Sequence, residues 1–415
     1  MPKQSKQQGI SRRDLLKFGG MTAAGMAAAG ALSACAPQET AAKNAASAQA
    51  GAGEKTTAAG HLRTGMPAFL EKPAAITDIA ATEEYDVVVI GAGASGVPAA
   101  LSALEAGARV ALLQKENQAI SQGNSGSGID LITSDQANIE DLVSQLMTDN
   151  QHRPDRALIE LWAKNSGEAV SWVIEKAAEG GAQVIDQGNQ QHIPLINRKG
   201  YTMNFVTSFF GPKPYNAGDG MRALAATAEK EGVEIFYSTP AEQLVQNESG
   251  KVVGVIAKGK DGYVQFNASK GVIVACGDYQ NDEDMLHYYQ PDMTNFQPKQ
   301  NNKTGDGHKM VVWAGGKIEN LAHTKMLHDF DAGPASMCDM PFLSVKMNGE
   351  RFVNETVEMS LMNCYLRSAE DAGHYCQVFD SNYMTAAADW PPATTGSRSS
   401  RPKDRRRRSE TRGFR

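Results

Sequence analysis

The sequence has no Cys-x-x-Cys pair, no Cys-x-x-Cys-His and no closely spaced cysteine run; its five cysteines stand apart at Cys35, Cys276, Cys338, Cys364 and Cys376. That spacing argues against a thiolate zinc site, covalently attached haem, an iron–sulfur cluster and a disulfide framework. Positive charge is also scarce over the body of the chain. A formal net charge of −6 leaves no electrostatic footprint for nucleic acid, and basic residues crowd only at the two ends. No apolar run is long enough to span a bilayer: the stretch MTAAGMAAAGALSAC near the start covers only 15 residues and is rich in Gly and Ala. What remains is a chain of 415 residues, 41% hydrophobic, with enough material for two domains and a sizeable core.

The basic start carries Ser11-Arg12-Arg13-Asp14-Leu15-Leu16-Lys17 ahead of that small-residue stretch, a pattern that reads as a twin-arginine export signal. Leu32-Ser33-Ala34-Cys35 ends it and resembles a bacterial lipobox, with Cys35 as the lipidated residue. Ordinary cleavage beside Ala34 and Ala36 is the alternative. Residues 1–35 are therefore expected to be the signal, and 36–83, beginning in Ala, Gln, Thr and Gly, a flexible linker. The expected location is the periplasm or the outer face of a bacterial cytoplasmic membrane, held there by a lipid anchor.

Tyr85 to Ile90 is a β-branched apolar run suited to a buried parallel strand. Gly91-Ala92-Gly93-Ala94-Ser95-Gly96 follows directly, then an Ala-rich helix to about Glu105, Gly107 as a stop, and a second strand from Arg109 to Gln114. The order strand, G-x-G-x-x-G, helix, strand is the dinucleotide fingerprint. Its glycines allow the tight turn, the backbone approach to a pyrophosphate and the packing of helix on strand, while the helix N-terminus offers N–H groups to the anion. The second strand usually ends on Asp or Glu for the ribose, but here it ends on Gln114. An amide can still bond ribose hydroxyls, and the adjacent Lys115 raises the alternative of a 2′-phosphate and hence NADP.

Three more glycine sites follow. Gly123-Asn124-Ser125 with Gly126 and Gly128 reads either as backbone N–H groups open to a ligand or as a plain surface loop. Gly271 to Ala275 reads as a strand meeting a turn at Gly277, and Thr304-Gly305-Asp306-Gly307 opens a helix through about Ala314. Together with Gly349-Glu350-Arg351-Phe352-Val353-Asn354-Glu355, these motifs resemble, in family order, the flavoprotein subunits of fumarate reductases and succinate dehydrogenases, a family that includes 3-ketosteroid dehydrogenases and urocanate reductases.

The resemblance implies an α/β fold: a Rossmann-like FAD-binding domain over 84–278 with a β-meander insertion, and an incomplete α+β capping domain over 279–390. FAD is the implied cofactor. Gly91, Gly93, Ala94, Ser95, Gly96, Gln114, Lys115, Gly123, Asn124, Ser125, Gly128, Ala275, Gly277 and Asp306 are its implied binding residues, and no metal is expected. In such proteins a hydride passes between flavin N5 and a substrate carbon while a side chain handles the proton. Fumarate-reducing members place an arginine shortly after the Phe-Val-Asn-Glu motif for that proton. The corresponding residue here is Met359, which can neither donate a proton nor pair with a carboxylate, so fumarate itself is disfavoured.

His328 and His323 are the two candidates for the family's substrate histidine, with a core or surface histidine as the bland alternative for each. Cys276 reads as a small packing residue, and Asp282-Glu283-Asp284 as a solvated helix start. Residues 391–415, rich in Pro, Ser and Arg, should be disordered, either as a basic tail or as the product of a shifted reading frame. The function expected is reduction of an activated C=C bond in a small organic acceptor, with electrons from a separate protein or a quinone-linked chain. A ketosteroid-type dehydrogenase and a truncated, non-catalytic flavoprotein or membrane-associated binding protein are the alternatives.

Overall fold

A computed structural model describes residues 67–383 except 124, 185–191, 197–201, 213–214, 294–297, 299, 320–322, 324–341, 356–364 and 366–373. Cys35, Asn124, His328, Met359 and the basic tail lie outside the described residues. Strand β1 (Ile79–Ile90) leads through the glycine turn into α1 (Gly96–Glu105) and β2 (Val110–Leu113). Then come β3 (Ser125–Ile129), α2 (Gln136–Asp149), α3 (Arg156–Glu179), β4 (His192–Ile196), β5 (Thr202–Phe209), α4 (Ala217–Glu231) and β6 (Glu234–Phe236). The chain continues through β7 (Ala241–Gln246), β8 (Val252–Gly259), β9 (Gly262–Val274), α5 (Glu283–Tyr289), α6 (Asp306–Trp313), β10 (Leu343–Lys346) and β11 (Tyr375–Val378).

Six strands form the main sheet in the order β6-β2-β1-β9-β8-β7. The first four run parallel, and β9, β8 and β7 form the antiparallel meander that the turns at 248–250 and 260–262 predict. Because β1 is covered on both sides, its residues alternate between two cores. Val89 packs with α1 and α4 through Leu101 and Leu224, beside Leu112 of β2, while Val88 and Ile90 join Leu113, Val255, Phe266 and Met310 on the meander side. The apolar run without polar alternation is the sequence of a strand buried this way.

β1 begins six residues before the apolar run at Tyr85, because its polar first half pairs with the start of β9. A longer correction concerns the glycine stretch at 125–129. It is not a loop but β3, paired antiparallel with β5 in a three-stranded sheet with β4. Serines supply part of the ladder: the Gly126 N–H donates to Ser208 Oγ at 3.1 Å, and that hydroxyl donates back to the Gly126 carbonyl at 3.2 Å. The glycines there let two backbones touch. A β-carbon on Gly128 would lie 2.2 Å from the Ser166 carbonyl carbon in α3, and one on Gly167 would lie 2.0 Å from the Ile129 carbonyl oxygen.

Candidate functional site

Three parallel strands end level. Ile90 pairs with Leu113 on one side and with Val274 on the other, so the residues that follow each strand leave the sheet at one edge. The Gly91 N–H donates to the Leu113 carbonyl at 2.7 Å, the Ala275 N–H to the Ile90 carbonyl at 2.8 Å, and the Gln114 N–H to the Phe236 carbonyl at 2.9 Å. At the carboxyl ends of the strands, where open α/β sheets bind their ligands, lies a solvent-open cleft. Its walls hold the glycine turn, the end of β2, the turn after β9 and the segment that opens α6.

Gly91 has φ +103°, and a β-carbon there would sit 2.4 Å from the Ala275 carbonyl oxygen. Only glycine allows that turn and that contact together. Gly96 lies against the Gly91 carbonyl oxygen, 1.7 Å from where its β-carbon would be, which draws the first turn of α1 tight onto the strand end. Ser95, the N-cap of α1, makes no side-chain capping bond, and the first turn holds no acidic residue. An uncapped N-terminus with no acidic residue in its first turn suits an anionic group.

Six of the residues implied by the resemblance meet at this cleft: Gly91, Gly93, Gln114, Lys115, Ala275 and Asp306. The Gln114 side chain is buried, and its Nε2 donates to the Gln118 carbonyl at 3.1 Å. Lys115 is half-buried and committed to protein partners: its Nζ donates to Thr304 Oγ1 at 2.8 Å and to Asp306 Oδ2 at 2.9 Å. Thr304 in turn donates to Asp306 Oδ1 at 2.8 Å. The ammonium is thus neutralised by Asp306 rather than left for a 2′-phosphate.

Gly277, at φ +77°, follows the cleft-lining Cys276. The Cys276 thiol is pushed up to about 11, by burial first and by the Asp306 carboxylate second, so it stays protonated and acts as the packing group its position predicted. Gly123 has φ +89° and accepts from the Ala217 N–H at the start of α4. Ser125 and Gly128 lie in β3, where Gly128 serves the contact with α3.

His323 stacks on Tyr289 at 4.4 Å and its Nδ1 shares a 2.5 Å hydrogen bond with the Tyr279 hydroxyl. It belongs to an aromatic cluster with Tyr279, Tyr289 and His308, not to the lining of the cleft. Burial pushes Tyr279 up to about 12, which keeps the phenol neutral. Asp282 is also less solvated than its acidic neighbours suggest: it caps α5 through the Met285 N–H and pairs with Lys309 of α6, its side chain 14% exposed.

The cleft also uses residues that motif reading passed over. Glu116, Ile120, Thr239, Ala241, Asn302 and Lys303 all line it. The one signal pointing to Asn302 and Lys303 is their position immediately before Thr304-Gly305-Asp306-Gly307. Asn302 Oδ1 is buried without a hydrogen-bond partner. Among the described residues no group of His, Cys, Asp or Glu could hold a metal ion, and no helix is long and apolar enough to cross a membrane.

The FAD binding domain family matches residues 86–393, most of the chain and all of the cleft. This chain belongs to that family. FAD is accordingly its cofactor, and the glycine turn, the open helix end and the unpaired acceptor at Asn302 fit a ligand with a diphosphate and hydrogen-bond donors. Among curated relatives, the vinyl phenol reductase of Lactiplantibacillus plantarum is 28% identical over 307 residues, covering 67% of this chain and 58% of its own length. The fumarate reductase (cytochrome) of Shewanella frigidimarina is 25% identical over 312 residues, covering 69% and 50%. The chain spans about half the length of the curated relatives it matches. Of solved structures, the 3-ketosteroid-Δ4-(5α)-dehydrogenase of Rhodococcus jostii superposes with a TM-score of 0.55 at 21% identity, covering 77% of this chain and 70% of its own; that likeness concerns the fold.

Proposed function

We propose that this protein is an exported, lipid-anchored FAD oxidoreductase that reduces an activated C=C bond in a small organic acceptor other than fumarate. The observation that carries the reading is the glycine-lined cleft at the level strand ends, in a chain of the FAD binding domain family whose relatives include reductases named for fumarate and vinyl phenol. FAD held there would supply hydride chemistry at its N5. The chain's own residues would fix where that happens. The Gly91 turn and the α1 N-terminus would hold the diphosphate and the end of β2 at Gln114 the adenosine ribose, while the Lys115–Asp306–Thr304 triad ties the α6 segment to β2 across the cleft.

The proton that completes the reduction has to come from a group other than Met359, since a thioether carries none. In this reading electrons enter from a separate protein or a quinone-linked chain. Export rests on the twin-arginine pattern at Arg12-Arg13, and anchoring on Cys35.

The test is stopped-flow reoxidation of the photoreduced, FAD-loaded protein by fumarate, urocanate, a vinyl phenol and a steroid enone. The expected result is rapid reoxidation by at least one of the last three and none by fumarate. Reoxidation by fumarate alone, or a full-length protein that remains colourless after incubation with FAD, would overturn the reading.

A further inference from the structure

The segment that opens α6 is built as a wall rather than a free loop. The Asn281 N–H donates to the Lys303 carbonyl at 2.9 Å, and Asn281 Oδ1 accepts from the Lys303 N–H at 3.1 Å. The Gly305 N–H donates to the Asp278 carbonyl at 3.2 Å. Lys303 and Asn302 are thereby held at the rim from both sides, and both residues line the cleft.

The two cleft lysines are in different electrostatic states. Lys115 is paired with Asp306, whereas the Lys303 ammonium makes no ion pair or side-chain hydrogen bond among the described residues. A β-carbon on Gly277 would lie 2.8 Å from Lys303 Nζ, so the glycine leaves room for the lysine to reach along the turn after β9. That turn touches the Gly91 turn, since the position of a Gly91 β-carbon is 3.2 Å from the Cys276 Cα. An unpaired cation therefore stands beside the anion-binding glycine turn.

Asn302 presents the complementary demand. Its buried Oδ1 lacks a partner, and a buried acceptor left unpaired costs folding free energy that a ligand donor returns. The same cleft contains Gln114 and Glu116 at the end of β2, the place where a dinucleotide's adenosine ribose lies. FAD carries both things this wall lacks, a diphosphate anion and, on its adenosine, hydroxyl and amino donors.

We propose that Asn302 and Lys303 bind the ADP half of FAD, Asn302 Oδ1 accepting a hydrogen bond from the adenosine and the Lys303 ammonium pairing with the diphosphate. The inference rests on the FAD reading of the cleft and adds to it the residues that replace the missing carboxylate at position 114. It also makes the adenosine half a source of selectivity for FAD over FMN, which has no adenosine to meet Asn302.

The test uses full-length apoprotein with FAD, FMN and ADP as probes, followed by flavin fluorescence and by ADP competition, for the wild type, Asn302→Leu, Asn302→Asp and Lys303→Met. Asn302→Leu should weaken FAD and ADP by about tenfold each and leave FMN unchanged, the scale of one lost hydrogen bond. Asn302→Asp, which keeps an acceptor oxygen, should restore most of that affinity. Lys303→Met should weaken FAD and ADP more in low salt than in high salt, as a lost ion pair does. Apoprotein melting temperatures should not fall below the wild type in Asn302→Leu or Lys303→Met, and Asn302→Leu, which removes the unpaired buried acceptor, should melt at or above it. FAD affinity unchanged in both Asn302→Leu and Lys303→Met, or losses that track a fall in apoprotein melting, would overturn the assignment while leaving FAD in the cleft. A wild type that binds no FAD would overturn the cofactor reading itself and this inference with it.

Discussion

A β-carbon at Gly91 has no room: it would meet the Ala275 carbonyl oxygen at 2.4 Å, on a backbone already at φ +103°. Gly91→Ala is expected to cost about 1–3 kcal/mol from the backbone conformation and more from the clash, and to yield protein with a lowered melting temperature and little flavin absorbance. Gly123→Ala is the control, since φ there is +89° but no atom lies within 4 Å of the new carbon; its cost should stay near 1 kcal/mol. Acid sensitivity has a residue-scale source as well. Arg351 grips the Glu355 carboxylate with two nitrogens and holds it down to about 2, against an ordinary 4.5. A depressed carboxylate contributes stability that is complete above the unfolded value and disappears as pH falls from 4.5 through about 2. Arg351→Met should therefore lower the melting temperature at neutral pH, with the gap from wild type closing as pH drops through that window; a gap independent of pH would refute the pairing. At this scale the sequence identified the turn glycines, because their chemistry is local. It could not identify the partner of Lys115, since Asp306 is 191 positions away and reaches it only through sheet pairing.

Among the elements, α3 is held by backbone contact at its middle, around Gly167, and by charge near its C-terminus. Near its C-terminus Lys176 meets Glu231 of α4 at 2.9 Å, Glu105 at the end of α1 at 3.4 Å and its own Glu179 at 3.4 Å, with its side chain only 16% exposed. Those carboxylates raise its pKa, the Glu231 hydrogen bond most of all. Lys176→Met would leave three like charges facing one another. A loss of about 1–3 kcal/mol is expected, between the values for surface and buried pairs, and Glu231→Gln in the same chain should recover part of it in thermal melts; additive losses would show that the cluster is not coupled. α1, α6 and the parallel strands β1, β2 and β9 were legible from apolar runs and glycine punctuation, whereas α2 and α3 carried no such signal. β3 was not, because Ser-Gly-Ser-Gly has no strand propensity, and what makes it a strand is its pairing with β5 and the close approach of Gly128 to α3, both tertiary facts.

For the whole molecule, the legible and illegible parts divide at the cleft. The wall made by β1, the glycine turn and β2 lies within about 30 residues of chain, the span of one βαβ start, and could be read directly. The facing wall, from Ala275 to Asp306, was recognisable only as separate glycine sites, and the roles of Asn302, Lys303 and Thr239 depend on how the two walls meet. They meet because β1 pairs with β9 from Ile79 to Ile90, next to a partner that arrives more than 170 positions later. Loop closure over such a distance is slow compared with the formation of α1 or the β7–β9 meander. A ribosome making this chain has therefore to pass Asp306 before both walls of the cleft exist, so the site as a whole assembles only once the central sheet has closed.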